Sequence, residues 1–216
     1  MKLISLIFSL SLVFSGLAVG QKQAPAVPES SAAQVPVSYG LVIDNSGSFR
    51  TLLEKVINLV SGIVDENKPG DEAFLVTFVD TSKIVLRQDF TDSKADLLDS
   101  VENMFIEGGP TSILDAVKFS ADHLTADART EPDRSRVLVL VTDGDERLSA
   151  AHIDDVVKSL KAGNIRVFVL AIAEQKIYTK VIDRLVKDTG GVKYSPRTRD
   201  EIAAAVKSLS TAIRSK

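Results

Sequence analysis

The run Val137-Leu138-Val139-Leu140-Val141 is apolar at every position, and Val37 to Ile43 follows nearly the same pattern before ending in Asp44. A strand with one face in water alternates apolar and polar side chains. One that is apolar throughout has both faces covered. Parallel strands reach that state because each crossover connection lays a helix on the sheet. These two segments therefore restrict the chain to an α/β fold with a mostly parallel central sheet and helices on both faces.

The other segments agree with that reading. Phe49 to Val64 carries Leu52, Leu53, Val56, Ile57, Val60, Ile63 and Val64 at helical spacing, and Pro69-Gly70-Asp71 marks a turn. Ala73 to Val79 reads as a second strand, and Lys83 to Leu86 as a short antiparallel edge partner. Residues 93–104 and 112–124 read as helices separated by Gly108-Gly109-Pro110. Ala150 to Ala162 is a helix ended by Gly163-Asn164, and Ile165 to Ile172 is the next strand. Tyr178 to Lys187 is a helix closed by Gly190-Gly191. Val192 to Tyr194 is a short last strand, and residues 199–213 form the final helix. No internal repeat is visible, and no further domain is expected after that helix.

The first twenty residues read as a signal peptide: Lys2, an apolar stretch from Leu3 to Phe14, then the small residues Gly16, Ala18 and Gly20. Cleavage is expected after Ala18 or Gly20, which puts the protein outside the cytoplasm, secreted or periplasmic. The alternative is a retained N-terminal anchor. Residues 21–35, with Pro25, Pro28, Ser30 and Ser31 among alanines, read as a flexible linker, and residues 36–216 as one folded domain. The sequence contains no cysteine, so disulfides, zinc–thiolate sites, cysteine nucleophiles and lipoprotein attachment are excluded. The net charge is −3. Loss of residues 1–20 removes Lys2 and no acid. A weakly acidic surface gives no basic face for nucleic acid.

Three short loop segments carry the chemistry: Asp44-Asn45-Ser46-Gly47-Ser48 after the first strand, Gly108-Gly109-Pro110-Thr111 before a helix, and Thr142-Asp143-Gly144 after the strand at 137–141. Two of them follow the carboxyl ends of strands, where ligands sit in open α/β sheets. Each alone has a structural explanation. Asp44 or Ser46 can cap a helix, Ser112 with Asp115 has capping-box spacing, and Asp143-Gly144 can be a plain turn. Together they offer two carboxylates and three hydroxyls, with no sulfur or imidazole. That donor set suits a hard cation, Mg²⁺ first, with Mn²⁺ and Ca²⁺ as competitors.

The pattern Asp-x-Ser-x-Ser, then a glycine-rich loop with Thr, then Thr-Asp-Gly after a hydrophobic strand, resembles the metal-ion-dependent adhesion site (MIDAS) of von Willebrand factor type A (vWA) domains. The resemblance covers residues 37–213, and Gly40 to Ser48, Thr111 to Ala116 and Thr189-Gly190-Gly191 resemble a bacterial secreted subgroup. It implies a doubly wound, Rossmann-like fold. It also implies that Ser46, Ser48 and Thr111 bind the metal through hydroxyls while Asp44 and Asp143 hold metal-bound waters and balance charge. An acidic residue of a protein partner would complete the coordination. In some vWA domains metal binding is coupled to movement of the last helix, here residues 199–213. Phe49 and Pro110 depart from the residues common at those positions.

Other polar residues are set aside. His123 and His152 fit no nucleophile–base pattern, Asp80 reads as a loop cap, and Asp145 and Glu146 as a solvated acidic loop. The sequence has no Gly-x-Ser-x-Gly elbow and no phosphate-binding loop, and Ser46 stands where an aspartyl phosphotransferase would need a second Asp. The expectation is a non-enzymatic, metal-dependent protein-binding module. The alternatives are a scaffold whose metal site only stabilises the fold and, further off, a metal-dependent hydrolase.

Overall fold

The computed structural model describes residues 35–215. The expected signal peptide and all of the expected linker except Val35 lie outside the described residues. Six strands form one sheet: β1 (Val37–Asp44), β2 (Glu72–Phe78), β3 (Ile84–Thr91), β4 (Ser135–Thr142), β5 (Ile165–Ala171) and β6 (Lys193–Tyr194). Their spatial order is β3-β2-β1-β4-β5-β6, and every pairing is parallel except β2 with β3. The connecting helices are α1 (Leu53–Asp65), α2 (Lys94–Glu102), α3 (Ile113–Asp127), α4 (Ile153–Ala162), α5 (Thr179–Thr189) and α6 (Arg199–Ala212).

Side chains leave a strand on alternate faces, and here both faces are covered. Tyr39, Leu41, Ile43, Val137, Val139 and Val141 pack on the side of α1, α2 and α6. Val42, Phe74, Val76, Leu138, Leu140 and Val169 pack on the side of α3, α4 and α5. The chain winds from β1 outward through β2 to β3, then returns to place β4 on the other side of β1. The strand order reverses between β1 and β4, and a cleft opens there at the carboxyl ends of an α/β sheet.

Three local readings change. The edge strand runs to Thr91 rather than stopping at Leu86. Its register against β2 shifts twice, between Ala73 and Leu75 and between Leu75 and Val76, and Arg87, Gln88 and Asp89 hide its period. The helix expected from Phe49 begins at Leu53, because Gly47–Phe49 form a separate 3-10 turn that buries Phe49 beneath the β1 loop. The capping box of Ser112 and Asp115 does not form, since the Ser112 side chain makes no cap hydrogen bond. At the end of α4 it is Asn164 that takes the left-handed conformation, with φ 52°.

The C-terminal end of α6 is fastened to the base of the sheet. Arg214 pairs with Asp71, whose Oδ1 also accepts Val37 N–H at 3.0 Å and whose Oδ2 accepts Lys68 N–H at 2.8 Å. Arg166 donates to the carbonyls of Ala212 at 3.2 Å and Ile213 at 2.8 Å. Sliding α6 along its axis would break both sets. The Asp71 side chain is 1 % exposed, so removing its cation strands a buried charge. Arg214→Ala is therefore expected to destabilise the domain by about 3 kcal/mol, read as a lower urea midpoint with unchanged slope. A change under about 0.5 kcal/mol would show that this clasp contributes nothing.

Candidate metal centre

The site is built on the last residue of β1. Asp44 is 1 % exposed, and both of its carboxylate oxygens are engaged. Oδ1 accepts Ser46 N–H at 3.0 Å, which folds the chain back at once, and Oδ2 accepts the Thr142 hydroxyl at 2.7 Å from the neighbouring strand β4. Thr142 Oγ1 in turn accepts Gly144 N–H at 3.0 Å, and Asp143 Oδ1 accepts Asp145 N–H at 3.0 Å. The turn that presents Ser46 and the turn that presents Asp143 are thus joined through one buried carboxylate. Burial raises the Asp44 carboxyl to about 7, with the neighbouring Asp143 charge adding to the effect and hydrogen bonds from Ser46 and Thr142 opposing it.

Ser46 and Ser48 direct their hydroxyls together, with Oγ to Oγ at 3.1 Å. Adjacent oxygens of an octahedron with ligand distances of about 2.1 Å lie about 3 Å apart, so this pair has the spacing of two neighbouring Mg²⁺ ligands. Thr111 closes the opposite side. Its hydroxyl donates to the carbonyl of Asp145, which leaves the lone pairs of Oγ1 for another partner. Ser46, Ser48, Thr111 and Asp143 line one cleft of about 260 Å³, with Asp44 buried below Ser46. The structure thus brings all five of these side chains to one place. Among the described residues neither Asp44 nor Asp143 pairs with a Lys or Arg, and no cluster of three carboxylates or imidazoles forms a competing metal site.

Two glycines are required by this packing. Gly144 has φ +84°, and a Cβ there would lie 1.9 Å from the carbonyl oxygen of Tyr178. Gly109 has φ +130°, and its Cβ would meet Val79 Cγ1 at 2.8 Å. The glycine-rich loop is also held from below, because the carbonyl of Asn45 accepts the N–H groups of Glu107 and Gly108, each at 3.3 Å.

Several residues outside the oxygen set act as supports. Asp115, within α3, accepts the Thr81 hydroxyl at 2.6 Å and the N–H groups of Ala150 at 3.0 Å and Ala151 at 2.8 Å. Glu146 accepts Leu114 N–H at 3.0 Å and Ser149 N–H at 2.9 Å. Arg147 N–H and Leu148 N–H both donate to the Thr111 carbonyl at 3.0 Å. Together these bonds bind the loop after β4 to the start of α3. Glu146 is thus a helix cap, and Asp145 pairs with Arg147. The spacing of Asp115 from Ser112 points to a different bond. Asp80 closes its own turn by accepting from Ser82 N–H at 2.9 Å. His123 packs against Phe74 and Phe90 and faces Asp89 and Asp127, away from the cleft, and His152 is the residue preceding α4.

A mostly parallel sheet whose strand order reverses above a cleft of hydroxyls and carboxylates defines the class: an α/β domain with an all-oxygen cleft at its switch point. The von Willebrand factor type A domain model matches residues 40–211, and the chain belongs to that family. Solved structures show the same fold. A von Willebrand factor type A protein from Catenulispora acidiphila superposes with a TM-score of 0.70 at 18% identity, covering 83% of this chain and 43% of that one. An aerotolerance-related membrane protein from Bacteroides fragilis gives 0.66 at 18% identity over 82% of this chain and 98% of its own. Proximal thread matrix protein 1 from the mussel byssus, solved with zinc in its MIDAS motif, gives 0.68 at 18% identity over 82% and 47%. Domains of this family are typically non-enzymatic interaction modules that hold a divalent metal.

The raised Asp44 carboxyl has a consequence for stability measured in EDTA. Between the ordinary Asp carboxyl value of 3.8 and about 7 the folded state holds a proton that the unfolded chain has lost. This contribution to stability is therefore full below 3.8 and is lost as pH rises through 7, at up to about 1.4 kcal/mol per pH unit. Urea unfolding of Asp44→Asn in EDTA is expected to lack that component. An identical pH profile in wild type and variant would refute the assignment.

Proposed function

We propose that this domain holds a divalent cation, Mg²⁺ ahead of Mn²⁺ and Ca²⁺, and uses it to bind an acidic side chain of a protein partner. The observation that carries this reading is electrostatic. Two carboxylates, Asp44 at 1 % and Asp143 at 6 % exposure, meet beside three hydroxyls, and among the described residues neither forms an ion pair with a Lys or Arg. Unpaired buried charge is costly, and a cation at the cleft compensates it. Ser46, Ser48 and Thr111 would ligate through their hydroxyls, and Asp44 and Asp143 would hold coordinated waters and balance the charge. Neutral ligands leave the ion electrophilic, so it retains affinity for one more anionic oxygen. The metal supplies that Lewis acidity, and the chain supplies a rigid cleft that orients the incoming carboxylate.

Residues 1–20 are proposed as an export signal, residues 21–35 as a tether and residues 36–216 as the binding domain, which places the protein outside the cytoplasm as a member of the secreted bacterial subgroup. No helix among the described residues is long and apolar enough to cross a membrane. Nucleic acid is not the proposed partner, given the net charge of −3.

The test is a thermal melt in Mg²⁺, Mn²⁺, Ca²⁺ or EDTA, followed by recovery of partner proteins from the exported fraction. Mg²⁺ or Mn²⁺ at about 100 times its Kd is expected to stabilise the wild type by about 2.7 kcal/mol, with no response in Asp44→Ala or Ser46→Ala. Partner capture should vanish in EDTA and in both variants. Stabilisation without any metal-dependent partner would favour a metal that only supports the fold. Turnover of an ester or phosphoester lost in Ser46→Ala would overturn the non-enzymatic reading.

A further inference from the structure

The metal cleft shares a wall with a second cleft of about 290 Å³. Ser48, Asp143, Asp145 and Arg147 line both, and beyond them the second cleft is bounded by Lys176 and Tyr178 of the loop between β5 and α5. Of these four, Arg147 is the cation. Its Nε donates to Asp145 Oδ2 at 2.7 Å and its Nη2 lies 2.5 Å from the same oxygen. A guanidinium has five N–H groups, so both hydrogens of Nη1 remain for another acceptor. The side chain is 59 % exposed, and Asp143 and Tyr178 lie near enough to act on its charge. Lys176 sits over the Tyr178 ring, its Nζ 4.5 Å from the centroid, and forms no ion pair among the described residues.

The charges around this wall are already assigned, with two exceptions. Asp145 is paired with Arg147, and under the reading above Asp143 faces the cation. Among the described residues, Lys176 forms no ion pair and Nη1 of Arg147 donates to no carboxylate. Glu174 also lines this second cleft, which disfavours a polyanion and fits a single carboxylate. An extended segment advances about 3.3 Å per residue, so acids separated by one residue can reach two spaces that share a wall.

We infer that the partner's binding segment carries two acidic residues with a short spacer, the first on the metal and the second between Arg147 and Lys176. This rests on the metal-dependent reading above. Arg147 and Lys176 thereby set specificity for the partner and take no part in holding the ion.

The test compares two capped peptides on the full chain in saturating Mg²⁺, Gly-Asp-Gly-Gly-Gly and Gly-Asp-Gly-Asp-Gly, titrated by NMR chemical-shift changes. Two exposed charge contacts predict binding of the two-acid peptide about fivefold tighter or more. In the double variant Arg147→Ala, Lys176→Ala that advantage, read as the ratio of the two peptides' Kd values at saturating Mg²⁺, is expected to disappear. If the one-acid peptide binds through Mg²⁺ and the second acid adds nothing, or if the advantage survives in the double variant, this inference alone is overturned. If neither peptide binds at any Mg²⁺ concentration, the metal-dependent reading fails and takes the inference with it.

Discussion

The hydrogen bond from the Thr142 hydroxyl to the Asp44 carboxylate, 2.7 Å long and fully buried, joins the two central strands at the point where the sheet order reverses. Through it the Ser46–Ser48 turn and the Asp143 turn share one anchor. A buried carboxylate is tolerated only when its oxygens are satisfied and its charge is met. Ser46 N–H and Thr142 meet the first requirement. Among the described residues no Lys or Arg pairs with it to meet the second. The covered sheet, the glycines that let Tyr178 and Val79 approach, and the hydroxyls over the cleft all support this one arrangement.

The third loop is joined to that anchor by bonds of another kind. Asp115 reaches from α3 to accept the Ala150 and Ala151 N–H groups, Glu146 reaches back from the β4 loop to accept Leu114 N–H of α3, and Thr111 bonds to the β4 loop through both its hydroxyl and its carbonyl. The cleft is therefore fixed from three sides before any ligand arrives, and such preorganisation lowers the cost of binding. At the other end of the sheet, Arg214, Arg166 and Asp71 hold α6 in place.

Much of this was legible in the sequence because hydrophobic pattern and turn chemistry are local. The all-apolar run at 137–141 specified a strand covered on both faces, and the three loop motifs specified which strand ends carry oxygen donors. The structure brings Asp44, Ser46, Ser48, Thr111 and Asp143 together as that pattern required. What stayed hidden depends on contacts far apart in the chain. Nothing near Asp115 signals that it accepts from Ala150 and Ala151, and nothing near Asp71 signals Arg214. The true length of β3 was hidden because its polar residues and shifted register erase the period of two. The 3-10 turn at Gly47–Phe49 was hidden because Phe49 fits the helical spacing of the residues after it, although it buries itself under the loop.

The central claim is that the uncompensated carboxylates and the facing serine hydroxyls are the seat of a divalent cation. Anomalous diffraction from crystals grown in Mn²⁺ tests it most directly. The account predicts a single strong peak within bonding distance of Ser46 Oγ and Ser48 Oγ, on the Thr111 side of the cleft and above Asp44. A well-ordered cleft with no peak at saturating Mn²⁺, or a peak elsewhere on the domain, would contradict it.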